Sequence, residues 1–303
     1  MNKITRYTLL LSLSCLTSVP ARAEVVLSGD KLLEIIDKNP ADGSISIELG
    51  NDITLPQRVD LKGNVTIDGT DQYKINGSAD SGFDIGQGER LTISNTSFTG
   101  FSGVSANGLI INNGEDGHLV LENVTVEQNN ITPSYASNAY TPNGSLINNS
   151  KGTMSITGHF SNNIASVNES YHGNGGLITS DEGHITKIEG EFIGNRSERP
   201  SLKGGFVHGG VIWLGGLSST VTDKIGGIFK ENVAYADNSD AHGGVLYLNQ
   251  GTITALDGTY EKNRAESDKA NAAGGVIFSK KNINSISQTV FTGNTAKGYE
   301  GNQ

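Results

Sequence analysis

Residues 243–263 read GGVLYLNQGTITALDGTYEKN: a glycine pair, an apolar run, a polar turn, a second short run, then an aromatic, two variable residues and an asparagine. The same unit recurs through the second half of the chain. Glycine pairs open Gly175-Gly176-Leu177-Ile178, Gly209-Gly210-Val211-Ile212, Gly243-Gly244-Val245-Leu246 and Gly274-Gly275-Val276-Ile277, at spacings of 34, 34 and 31 residues. Interleaved with them stand Phe160 and Asn163, Phe192 and Asn195, Phe229 and Asn232, Tyr260 and Asn263, and Phe291 and Asn294. A small residue follows each asparagine by two places: Ala165, Ser197, Ala234, Ala265 and Ala296. A unit of short strands and turns cannot bury its own apolar side chains, so it must stack on copies of itself.

If each unit forms one coil and coils stack at about 4.8 Å, equivalent residues line up in files along the axis. The aromatic then fills the interior and packs on the rings above and below. The asparagine at the strand end serves turn backbone groups and the asparagine of the next coil. The small residue is expected at a tight bend, and the paired glycines at a positive φ or a close backbone approach. The fold class expected is all-β, a right-handed parallel β-helix.

Towards the N-terminus the units decay. Asn107-Gly108-Leu109-Ile110 and Gly144-Ser145-Leu146-Ile147 are worn glycine strands, and 91–98 and 119–126 are strand pairs before the asparagine turn. Residues 29–39 differ, with apolar residues at helical spacing, Ser28 as N-cap and Asn39-Pro40 as a stop. A short helix there would close the open end of the stack, whose strand edges would otherwise recruit other chains. Ile45 to Leu55 and Val65 to Gly69 supply the first coils. The chain thus divides into a leader (1–23), an N-terminal cap with the first coils (24–60) and the repeats (61–303).

The leader has Lys3 and Arg6, an apolar run, then Pro20 and Ala21-Arg22-Ala23, the pattern of a cleaved export signal. The one cysteine, Cys15, lies inside it, so disulfides and cysteine metal sites are not expected in the mature chain. The net charge of −10 becomes more acidic once Lys3, Arg6 and Arg22 are removed, a surface poorly suited to nucleic acid. A monomer is expected.

The Gly-Gly-Val-Ile and Phe-x-x-Asn units resemble the repeats of polymorphic outer-membrane proteins and, more broadly, the passenger domains of Gram-negative autotransporters. The resemblance covers about residues 60–303. It implies export through the periplasm to the cell surface or medium, and adhesion to a host surface protein or glycan. It also implies an outer-membrane translocator barrel of roughly 12 strands, which is missing here. The chain stops at Gln303, just short of the next glycine pair, and is expected to be a truncated passenger.

The enzymatic rival is a secreted β-helix polysaccharide lyase or hydrolase, which needs carboxylates brought close together. Asp68 and Asp257 read as turn acids, and no catalytic residue or cofactor is assigned. Ala79-Asp80-Ser81-Gly82 is the nearest approach to a serine-protease nucleophile loop, and reads as a polar turn. His208 and His242 each precede a glycine pair, so they could stack on successive coils and share a metal. His172 is two places out of that register and Ala273 replaces histidine in the last copy. Trp213, Tyr247 and Phe278 share one column, either an exposed binding strip or core packing.

Overall fold

The computed structural model describes residues 23–78, 81–103, 110–131, 145–166, 176–199 and 206–299. The leader to residue 22, the Ala79-Asp80 half of the serine turn, His172, Gly175 and the end from 300 lie outside them.

The chain is a parallel β-helix. Three long sheets run along the stack, of 13, 8 and 7 strands, with a fourth of 3, and every ladder among the named strands is parallel. One coil shows the plan. Ile212–Leu214 lies in the 8-stranded sheet, Thr220–Lys230 in the 13-stranded sheet, and Val233–Ala236 in the 7-stranded sheet. Asp240–His242 follows in the small sheet, and Leu246–Leu248 then pairs residue for residue with Ile212–Leu214.

Pairing in register carries like residues onto like, with a local shift in each long ladder from His118–Glu127 onward. The aromatic file runs Ile53, Ile75, Phe98, Val126, Phe160, Phe192, Phe229, Tyr260, Phe291. Its rings stack at 4.9 Å (Phe160–Phe192), 4.8 Å (Phe192–Phe229) and 4.8 Å (Phe229–Tyr260), the strand repeat itself. A second file in the same strands runs Ile47, Ile67, Ile93, Leu121, Ile156, Ile188, Ile225, Leu256, Ile286. All but the last member of each file, Phe291 and Ile286, join one continuous core down to the cap.

The asparagine file turns each corner. Asn129, Asn163, Asn195, Asn232 and Asn263 are buried, and each Nδ2 donates to Oδ1 of the next asparagine at 2.9–3.0 Å. Each backbone N–H donates to that same Oδ1 at 2.8–3.2 Å. Nδ2 also donates back to the carbonyl of the file residue one coil below, as Asn232 does to Phe192 O at 2.7 Å. Each interior asparagine therefore spends both amide hydrogens and its carbonyl on fixed partners, which makes a buried amide tolerable.

The sharp bend sits one residue earlier. Gln128, Asn162, Gly194, Glu231, Lys262 and Gly293 all have φ between 53° and 64°, a left-handed conformation that only Gly adopts freely. The small residues were expected at that bend. They lie instead in register in the 7-stranded sheet, Ala165 to Ser197 to Ala234 to Ala265 to Ala296, and all but the last are fully buried. Inward packing rather than turning limits their size.

Both demands considered for the glycine pairs are met, one by each partner. Gly209, Gly243 and Gly274 have φ near 70°, while a Cβ on Gly210 would strike the carbonyl of Gly244, and one on Gly244 that of Gly275.

The cap helix spans Gly29–Lys38, with Ser28 Oγ accepting from Lys31 N at 3.3 Å. Its buried Leu32, Ile35 and Ile36 join the core, and the helix packs on Glu24–Val26 and Arg58–Asp60, the first strands of their sheets. Glu24–Val26 is itself a strand, paired with Ile47–Leu49, which the short Val-Val run alone did not reveal.

Replacing Asn232 by Ala strands the Phe192 carbonyl and two Asn195 N–H groups, so it should cost about 3–5 kcal/mol, read as a lower denaturant midpoint at unchanged slope. Tyr260 carries a buried hydroxyl without a hydrogen-bond partner among the described residues, and burial raises its pKa. Tyr260→Phe matches the rest of its file and should raise stability by about 1 kcal/mol in the same assay.

Candidate interaction surface

The outward face of the 8-stranded sheet changes character along the rod. Its middle file runs Asp84, Asn112, Asn148, Thr179, Trp213, Tyr247, Phe278. The lower part is a polar chain: Arg58 holds Asp84 at 2.7 and 3.0 Å, Asn112 donates to Asp84 and Asn148 to Asn112. The upper part is aromatic.

Of the two readings of the Trp213, Tyr247 and Phe278 column, the exposed strip does not hold at its lower two members. Trp213 is 5% exposed and Tyr247 2%. Neither points into the main core, whose members in these strands are Ile212, Leu214, Leu246 and Leu248. Tyr247 is covered by the small fourth sheet, Phe206–His208, Asp240–His242 and Ala272–Ala273. His208 lies face to face on Tyr247 at 3.9 Å and His242 on Phe278 at 4.4 Å. The indole of Trp213 lies against Gly215, where a Cβ would strike the ring. The fourth sheet was missed in the sequence because its strands are two or three residues long and carry no repeat signature.

His208 and His242 do stack on successive coils, in register and with ring centroids 5.4 Å apart at 16°. Imidazole lone pairs lie in the ring plane, and two nearly parallel, superposed rings cannot aim them at one ion. The pair is an aromatic stack rather than a chelate. Among the described residues no three His, Cys, Asp or Glu side chains gather where a metal could bind.

The acids named in the sequence are held by structural partners. Asp68 Oδ1 accepts from Thr70 N at 2.8 Å and Asn95 Nδ2 at 3.2 Å, a turn acid. Asp257 is not in a turn but within the strand Thr252–Glu261, with Oδ2 3.3 Å from Lys224 Nζ. Lys224 also donates to Glu189 at 2.7 Å, which lowers the Glu189 pKa and raises its own. Burial raises the pKa of Glu89 and of Asp181, yet the two stand about three coils, ~14 Å, apart along the axis. Ser81 Oγ is bound to Ser78 N and O within its turn.

A shallow furrow of about 400 Å³ lies on the 13-stranded sheet, lined by Asn123, Thr157, Gly158, His159, Glu189 and Glu191 among others. It is also lined by Gly190, which with Gly158 is part of a glycine file continued by Gly227 and Gly258, where a Cβ would strike the coil below. Hydroxyls, amides and carboxylates lie along it, a surface able to hydrogen-bond a polar chain. Comparison with known proteins finds no matching family model, no similar curated protein and no similar solved structure.

His242 tests the aromatic cover. Burial is the main cause that lowers its pKa from 6.5, with Lys280 adding to the effect and Asp240 opposing it. Its neutral form belongs to the folded state, so stability is full above the ordinary histidine value and falls as pH drops below it. The stability lost between about pH 7.5 and 5.5 should be smaller in His242→Phe than in the parent, as followed by urea unfolding.

Proposed function

We propose that the chain is an adhesin-like passenger: an exported β-helical rod, at the bacterial surface or secreted, that holds binding segments out to a host surface protein or glycan. The observation that carries this reading is where the repeats vary. The number of residues between a strand of the 7-stranded sheet and the next strand varies: from Gly103 to Ile111, Ile131 to Ile147, Ser166 to Ile178 and Arg199 to Phe206. A solenoid accepts such variation between its strands without disturbing its core. The core is spent on stacking, and Glu34, Asp37, Glu189 and Lys224, whose pKa values are shifted, are engaged in ion pairs.

In this reading the rod needs no cofactor, acts as a monomer, and does not bind nucleic acid. Export rests on the leader pattern of residues 1–23, and adhesion on the repeat resemblance together with this variation in length.

The purified chain should bind host cells, matrix proteins or a glycan array saturably, and deleting 132–144 should reduce that binding at least tenfold while the circular dichroism spectrum stays that of the parent. Release of unsaturated or reducing sugar from a polysaccharide panel would replace this reading with the enzymatic one.

A further inference from the structure

The fourth sheet is held on the stack by few contacts. Its strands Phe206–His208, Asp240–His242 and Ala272–Ala273 are two or three residues long. Val207 and Ala241 meet Ala234 and Ala236 of the 7-stranded sheet in a small cluster separate from the main core. The other hold is aromatic, His208 on Tyr247 and His242 on Phe278. Lifting such a layer uncovers few apolar groups, so it can open while the core stays closed.

His242 ties this layer to pH. Its ring lies 5.4 Å from that of His208 and 4.4 Å from that of Phe278. Its Nδ1 is buried and has no hydrogen-bond partner. A neutral imidazole leaves Nδ1 as a bare acceptor, whereas a protonated ring carries a hydrogen on both nitrogens, and the one on Nδ1 would be buried with nothing to accept it. Two charged side chains act on the ring. Asp240, on the same strand, favours a positive charge, but its Oδ1 already accepts from Asn271 N at 2.9 Å; Lys280, from the next coil, opposes it. Of the titratable neighbours, His208 would repel a second charge at 5.4 Å, and the Tyr247 ring lies 6.1 Å away. On the adjoining strands of the 7-stranded sheet, Arg264 is paired with Glu266 at 2.9 Å and Tyr235 with Asp268 at 2.8 Å.

We propose that the fourth sheet is an acid-released cover: protonation of His242 frees Asp240–His242 and, through their ladder, Phe206–His208, and so uncovers the ring faces of Tyr247 and Phe278 while the main core stays stacked. Burial holds the His242 pKa below 6.5 in the closed layer, and release returns it to the ordinary histidine value. The open layer therefore takes up the proton, and gains on the closed one as pH falls below about 6.5. An aromatic face is offered in acid and withheld at neutral pH. The inference stands on the packing of this layer and is independent of adhesion.

Hydrogen exchange of the purified chain, corrected for the intrinsic pH dependence of amide exchange, reads the opening. Protection of Asp240–His242 should fall at least threefold from pH 7.5 to 5.5, where a histidine that titrates near 6.5 only when released allows about tenfold. The core strand Thr252–Glu261 should keep its protection, and oxidation of Tyr247 by hydroxyl radicals should rise in parallel. In His242→Phe, aromatic but never charged, the protection of the same strand should change less than twofold. If that replacement disturbs the fold, seen as lost protection of Thr252–Glu261 at pH 7.5, His242→Gln makes the same test, being neutral at every pH. An unchanged parent, a loss shared by Thr252–Glu261, unaltered Tyr247 oxidation, or a neutral variant that responds as the parent does would overturn the proposal.

Discussion

The hydrogen bond that matters most here runs from one asparagine side chain to the next. Parallel stacking sets every residue upon its counterpart, and a polar group can be buried in such a stack only if its own kind can satisfy it. An amide meets that condition because it is donor and acceptor at once. A carboxylate would place like charge on like charge about 4.8 Å apart, and a hydroxyl has one hydrogen for two tasks. The corner of each coil therefore closes on asparagine, and the left-handed residue before it turns the strand so that the amide points inward. The bend is tolerated in Gln128, Asn162, Glu231 and Lys262 because the ladder holds the next residue in place.

From that constraint the other files follow. With corners locked at the strand spacing, flat rings meet face to face at 4.8–4.9 Å, the aliphatic files fill the remaining interior, and the inner face beyond the corner has room only for alanine or serine. The glycines serve the same spacing. In the pairs before the apolar strands, and in the file Gly158, Gly190, Gly227, backbone lies so close to backbone that a methyl group would collide.

A stack of this kind places its individuality outside. Along the 8-stranded sheet the outer file passes from a hydrogen-bonded polar chain around Asp84, Asn112 and Asn148 to the aromatics Trp213 and Tyr247. The change coincides with the appearance of the small fourth sheet, whose His208 lies on Tyr247 and whose His242 lies on Phe278. A second layer has been laid on the upper coils, buried yet separate from the interior.

Much of this was legible in the residues. The period, the five aromatic-to-asparagine pairs, the glycine strands and the Ser28-capped helix are local patterns repeated often enough that only stacking accommodates them, so fold class and the inner files follow from the chain alone. What only the tertiary structure decided depends on neighbours distant in sequence. Whether Tyr247 faces solvent is decided by a short strand that carries no signature of its own. Whether His208 and His242 can chelate depends on the relative planes of two rings, and whether Ala234 marks a bend or a packed wall depends on what lies opposite. A one-dimensional repeat encodes what each residue stacks upon along the axis; what lies beside it is set by how the coil closes in three dimensions.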